Sequence, residues 1–246
     1  MTKFTLLLLC IGLVLNPTKS YANDSVQKEL TTKQIPTLLI LGDSLSAGYR
    51  LSSEDNWPTL LNIKFQAMNE QQLNDQQKLS EESSYLIYPY IVNGSVSGDT
   101  AEQALARLPN LLTTHSPDFV LIELGANNGM QGLSLANLKN TLDEIVVKIK
   151  QSGAKPILMQ IDIPQNLGKR YVTGFKSVYP KVALTHNIPL IPFYMADLVA
   201  ANEKNDFSFI QDDGIHPTKE AQPFIVDWMM THLVMALLPS SSTAAE

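Results

Sequence analysis

A single-domain α/β/α sandwich around a five-stranded, mostly parallel sheet is what the sequence predicts, and three observations predict it. Five short apolar runs are continuous rather than alternating, as strands buried on both faces are. A helical pattern follows nearly every run, which is the arrangement of parallel strands joined by crossover helices. The chain has 246 residues, 44% hydrophobic and 17% charged, enough for one sizeable core and too apolar for a disordered protein.

The first run is Thr37-Leu-Leu-Ile-Leu-Gly42, closed by turn residues. Comparable runs follow at Ile91-Val92, Phe119 to Leu124, Pro156 to Ile161 and Pro189 to Phe193. Between the second and third, Thr100 and Gln103 form a capping-box pair ahead of Ala104, Leu105, Leu108 and Leu111. Between the third and fourth, Leu135, Leu138, Leu142, Ile145, Val146 and Ile149 recur at helical spacing. Ser134 is placed there as N-cap and Gly153 as the C-terminal turn. Residues 69–84 (NEQQLNDQQKLSEESS) hold only Leu73 and Leu79 as large apolar side chains, so they read as an exposed insertion, a mobile loop or frayed helix end. Glu81-Glu82 within it reads as a solvated face. The Ser- and Ala-rich tail 239–246 is expected to be disordered, leaving 37–238 as the domain.

Ahead of the domain, Lys3, the apolar run Phe4 to Leu15 and the small residues Ser20 and Ala22 read as a cleavable signal peptide over 1–22, followed by a polar leader over 23–36. The run is shorter than the ~20 residues a membrane span needs. The expected location is the periplasm or exterior, with no stable membrane insertion once the leader is removed. Cys10, the single cysteine, would leave with it; Leu8-Leu9 before it do not suit a lipidation site. One cysteine also excludes a disulfide framework and Cys-based metal sites. A net charge of -6 without a basic stripe argues against a nucleic-acid partner.

Ligands of an open parallel sheet bind beyond the carboxyl ends of its strands. There lie Gly42-Asp43-Ser44-Leu45-Ser46, Ser97-Gly98-Asp99 and Gly125-Ala126-Asn127-Asn128-Gly129, and later in the chain Asp212-Asp213-Gly214-Ile215-His216-Pro217. A serine hydroxyl needs a base to take its proton, and the base needs a third group to fix its tautomer. Asp213 and His216, three apart across Gly214, supply that pair for Ser44. Ser46 stands where the Gly-x-Ser-x-Gly elbow of α/β-hydrolases has its second glycine, so that reading fails. Candidate oxyanion donors are the N–H groups of Ser44 and Gly98 and the Asn127 amide. Asp43 reads as a brace for the turn. Asp212 reads as solvated or structural, and without a second histidine nearby it suggests no metal site. His115, His186 and His232 read as ordinary surface or helix residues, and Trp57 as packing.

GDSLSAGY at Gly42–Tyr49, NGSVSGDT at Asn93–Thr100, GANNG at Gly125–Gly129 and DGIHP at Asp213–Pro217 resemble, in order and spacing, the four blocks of the SGNH (GDSL) hydrolases. LARLP at Leu105–Pro109, LMQI at Leu158–Ile161, and QDDGIHP with AQPFIVDWM ending at Met229 resemble their bacterial periplasmic thioesterase, lysophospholipase and arylesterase subfamily. The resemblance spans about Leu38 to Met229. It implies a flavodoxin-like sandwich with neither metal nor organic cofactor, and a catalytic set of Ser44, Asp213 and His216. It implies an oxyanion hole from Ser44, Gly98 and Asn127, and an acyl groove over the Gly129–Ser134 loop, with Met130, and the Ile163-Pro164 turn. The implied activity is hydrolysis of acyl esters and thioesters, small-molecule substrates, through an acyl-enzyme; a monomer is expected. The alternatives are a short-acyl or carbohydrate acetyl esterase and a catalytically idle acyl-lipid carrier. In one departure, Asn128 stands where the family usually has Asp, removing a charge beside the oxyanion hole.

Overall fold

A computed structural model describes residues 35–76, 86–202 and 208–238. The expected signal peptide, the leader up to residue 34 and the tail 239–246 lie outside the described residues. Among the described residues five strands form one sheet in the order β2-β1-β3-β4-β5. They are β1 (Thr37–Gly42), β2 (Tyr90–Asn93), β3 (Phe119–Glu123), β4 (Lys155–Met159) and β5 (Leu190–Ile191). Every pairing is parallel, so the sheet is wholly rather than mostly parallel.

Consecutive strand side chains point to opposite faces. Leu38, Leu39, Ile40 and Leu41 are nevertheless all 0% exposed, which requires a layer on each side. Helices α2 (Trp57–Gln76) and α9 (Gln222–Leu237) pack on each other. Helix α5 (Leu135–Gln151) packs on both α3 (Ala101–His115) and α7 (Val178–His186). The remaining described helices are α1 (Ser44–Ala47), α4 (Ala126–Met130), α6 (Lys169–Lys176) and α8 (Met195–Asn202), with a 3₁₀ turn at Gln165–Leu167. None of them is long and apolar enough to cross a membrane.

The sequence signals for α3 and α5 correspond to real caps. Thr100 and Gln103 exchange side-chain and backbone hydrogen bonds, and the Ser134 hydroxyl accepts from the Asn137 N–H. Of the two forms expected for residues 69–84, a mobile loop or a frayed helix end, residues 69–76 take a helical one as the last turns of α2, while 77–84 lie outside the described residues. Polar contacts hold this end where an apolar stripe is missing. The Asn69 amide both donates to the Tyr88 carbonyl at 2.9 Å and accepts from the Tyr88 N–H at 2.9 Å.

Candidate active site

At the carboxyl end of β1 the chain turns directly into α1, and Asp43 caps that turn by accepting the Leu45 N–H at 3.1 Å. Ser44 is the first helical residue, where a backbone N–H has no intrahelical acceptor. Its Oγ lies 2.7 Å from His216 Nε2, and His216 Nδ1 lies 2.8 Å from Asp213 Oδ2. A carboxylate can only accept, so Nδ1 carries the proton and Nε2 is free to accept from the serine. The other Asp213 oxygen accepts the N–H groups of Ile215 at 2.9 Å and His216 at 3.0 Å. Partial burial works to raise the Asp213 carboxyl, but these backbone donors and the His216 ring hold it down at about 2.

The loop bearing this pair is closed by an antiparallel bridge between Ile210 and Pro217 and tied to the segment after Ser44 by Gln211, whose amide donates to the Tyr49 carbonyl at 3.0 Å. Gly98 is exposed with φ +86, a conformation that disfavours side chains, and the space beside its Cα is open. The glycine here is thus required by the backbone rather than by crowding. Gly125 opens α4 at φ +114, and a Cβ there would run into the Tyr179 hydroxyl. The turn aims Asn127 at the site; its Nδ2 donates to the Asp99 carbonyl at 2.9 Å and to Asp43 Oδ2 at 3.3 Å. Ser44, His216 and Asp213 are therefore in hydrogen-bond contact, and Asn127 reaches the residues next to Ser44 and Gly98.

The model of the GDSL-like Lipase/Acylhydrolase family matches residues 40–222. The chain is 45% identical over 197 residues to thioesterase 1/protease 1/lysophospholipase L1 of Escherichia coli strain K12, covering 80% of this chain and 83% of that protein. It is 41% identical over 200 residues to the arylesterase of Vibrio mimicus, covering 81% and 89%. The crystal structure of the psychrotrophic esterase EstA from Pseudoalteromonas sp., inhibited by monoethylphosphonate, superposes with a TM-score of 0.70 at 36% identity, covering 82% of this chain and 98% of that one. The chain belongs to the GDSL-like lipase/acylhydrolase family. It is a serine ester hydrolase.

Within this GDSL hydrolase the anticipated groove residues are not equally open. Gly129 and Ile163 are buried against each other, a Cβ on Gly129 coming 2.7 Å from Ile163 Cγ2, whereas Met130 is half-buried and Pro164 exposed. Trp57 is fully buried packing, and Asp212 is exposed outside the hydrogen-bonded set. His186 pairs with Asp143 at 3.0 Å and His232 stacks on Trp228, both away from Ser44, and His115 is half-buried at the end of α3. Among the described residues no three His, Cys, Asp or Glu side chains are grouped to hold a metal ion. A cleft at the amino-terminal end of the sheet, lined by Pro36, Asp118, Phe119 and Lys155, contains none of Ser44, Asp213 and His216.

Three contributors escaped sequence reasoning. Arg107 donates to Asp99 Oδ2 at 2.6 Å, to the Gly94 carbonyl and to the Gly42 carbonyl at 3.3 Å, clamping the ends of β1 and β2 to the Gly98 loop. The LARLP match contained Arg107 without indicating its partners. Tyr49, in the first block, lays its ring 4.3 Å from that of His216. Glu123, the last residue of β3, is fully buried beneath α1 and bonded to the Ser46 hydroxyl.

The carboxyls of Glu123 and Asp43 make a pH-dependent contribution. Burial, with the Asp99 charge adding and the Leu45 N–H opposing, pushes Asp43 up to about 6. Burial and the Asp43 charge, against the Ser46 bond, push Glu123 well above the usual carboxylate range. Raised carboxyls bind more protons folded than unfolded, so their stabilising contribution is full below the ordinary carboxylate value of about 4 and is lost as pH rises through their folded values. The melting temperature carried by Asp43 therefore falls between about pH 4 and pH 6, and Glu123, raised by the same burial, contributes a fall of the same sign. Asp43→Asn and Glu123→Gln each flatten that slope in thermal melts across pH; parallel slopes in wild type and variants would refute the assignment.

Proposed function

We propose that this enzyme hydrolyses carboxylic esters and thioesters of acyl chains through an acyl-enzyme on Ser44. The observation that carries the reading is the continuous line Ser44 Oγ, His216 Nε2, His216 Nδ1, Asp213 Oδ2, with contacts of 2.7 and 2.8 Å. Ser44 Oγ attacks the acyl carbon while His216 Nε2 takes its proton, and Asp213 offsets the imidazolium charge. The oxyanion is held by the N–H groups of Ser44 and Gly98 and by Asn127 Nδ2. Of the two bonds that Nδ2 makes, the 3.3 Å one to Asp43 is the looser and the one to be exchanged. His216 returns the proton to the leaving alkoxide or thiolate. Water then attacks the acyl-enzyme with His216 again as base, and Ser44 is regenerated.

The thioester half of the reading is supported by the name of the E. coli relative; of the groove residues that the family resemblance implies, Met130 and Pro164 have surface to offer a substrate, whereas Gly129 and Ile163 are buried. Export to the periplasm or exterior is supported by the run Phe4 to Leu15 with Ser20 and Ala22; a mature N-terminus at Asn23 is the expected protein-sequencing result. Substrate class is tested by kcat/KM for p-nitrophenyl esters from acetyl to palmitoyl, with Ser44→Ala as blank. A rise with chain length is expected, since each methylene buried in an apolar groove contributes up to ~0.8 kcal/mol. A Ser44-dependent maximum at acetyl would replace the acyl-lipid reading with a short-acyl or sugar-acetyl esterase.

A further inference from the structure

Asn128 is 1% exposed and uses both ends of its amide. Oδ1 accepts the Ala101 N–H, at the start of α3, at 2.8 Å. Nδ2 donates to Glu102 Oε2 at 2.8 Å, and the other Glu102 oxygen accepts from the Thr141 hydroxyl of α5 at 3.4 Å. The opposite amide orientation would set an NH₂ against the Ala101 N–H, so the network fixes which end points where. An aspartate at 128 could still accept from Ala101, but its second oxygen would meet Glu102 with no proton between them. A glutamate at 102 thus favours an amide over a carboxylate at 128.

The pair also sits where it can control the oxyanion hole. Asn127 and Asn128 are neighbours on the single-turn helix α4, and they grip the same stretch of chain. Asn127 bonds the Asp99 carbonyl and Asn128 bonds the Ala101 N–H, on either side of Thr100 and immediately after Gly98. We propose that Asn128 and Glu102 form a matched amide–carboxylate unit that positions the oxyanion hole, Asn128 locking α4 to the Gly98 loop and Glu102 dictating that residue 128 be uncharged. This rests on the assignment of Gly98 and Asn127 as oxyanion donors. Asn128 is a positioning residue, because its own amide is committed to Ala101 and Glu102 and acts through its neighbours.

A set of Asn128→Asp variants in three backgrounds tests the proposal, with kcat, KM and melting temperature measured for each. In the wild-type background Asn128→Asp lowers kcat by about tenfold to a hundredfold while KM stays within about twofold. With Glu102→Gln already present, the same change costs less than about threefold, because an amide at 102 can donate to the new carboxylate. With Glu102→Lys present the sign reverses and Asn128→Asp raises kcat, since the ammonium has a carboxylate to pair with instead of an amide NH₂. Glu102 is exposed, so the Glu102→Lys pair reports even if Asn128→Asp alone fails to fold. An equal Asn128→Asp effect in all three backgrounds, or a wild-type kcat in the single variant, would overturn the proposal. Asn127→Ala separates the two levels. Damaged turnover there beside an undamaged Asn128→Asp removes this unit alone; undamaged turnover there removes the oxyanion assignment and this proposal with it.

Discussion

Ser44→Ala lowers kcat by about 10⁴- to 10⁶-fold, because members of such a triad act as a unit and the loss of one forfeits nearly all that the three supply. The substitution removes one oxygen whose bond is to His216 Nε2. The turn that presents it does not depend on that oxygen; Asp43 caps it from the side chain, and the N–H groups of Ala47 and Gly48 close it on the backbone. Melting temperature should therefore stay near the wild-type value while turnover collapses. The residual rate reports what binding and the oxyanion donors achieve without a nucleophile. Steady-state kinetics on one p-nitrophenyl ester, with circular dichroism as the folding control, is sufficient. A variant within tenfold of wild type would remove Ser44 from the chemistry.

Asp213→Asn lowers kcat by about 10³- to 10⁴-fold through the tautomer of His216 rather than through charge alone. The asparagine carbonyl can keep both backbone bonds that Asp213 Oδ1 now accepts, from Ile215 and His216, so the turn is preserved. Its NH₂ then faces His216 Nδ1, which must become an acceptor, and the ring proton moves to Nε2, the atom that has to accept from Ser44. The expected signature is a large fall in kcat with little change in fold, checked by kinetics with the imidazole tautomer read from ¹⁵N chemical shifts. In the wild type the carboxyl is held at about 2, below its ordinary value near 4. Its stabilising contribution is thus full above about pH 4 and lost only as pH falls through about 2. The pH window is opposite in sign to that of Asp43 and Glu123 and does not overlap it.

The strands were legible because burial on both faces makes each one a continuous apolar run, and a run such as Leu38 to Leu41 has few other uses. Local signals were equally readable; the Thr100–Gln103 capping box and the Ser134 cap depend on residues three apart. The contact of Ser44, Asp213 and His216 was legible for a different reason: they sit in short blocks whose spacing is itself a constraint. Groups whose roles depend on a partner distant in sequence were not legible. Ser46 and Glu123 meet across 77 residues, and Arg107 gathers carbonyls from two strands that no local pattern links to it. Between a loop and a helix end the sequence could not choose for residues 69–76, because the Asn69 amide holds them instead of an apolar stripe, which a hydrophobic periodicity cannot register. Asn128 stood out as a departure, but its meaning became visible only with Glu102 and Ala101 placed around it.

Covalent labelling tests the assignment of Ser44 as nucleophile at the reacting atom itself. The folded chain is treated with a fluorophosphonate, and the adduct is located by intact-mass and peptide mass spectrometry. The prediction is one equivalent of adduct, on Ser44, absent from Ser44→Ala and greatly slowed in Asp213→Asn. An unlabelled folded chain, or an adduct on any other serine with Ser44 untouched, would contradict it and leave an acyl-lipid carrier or a different nucleophile in its place.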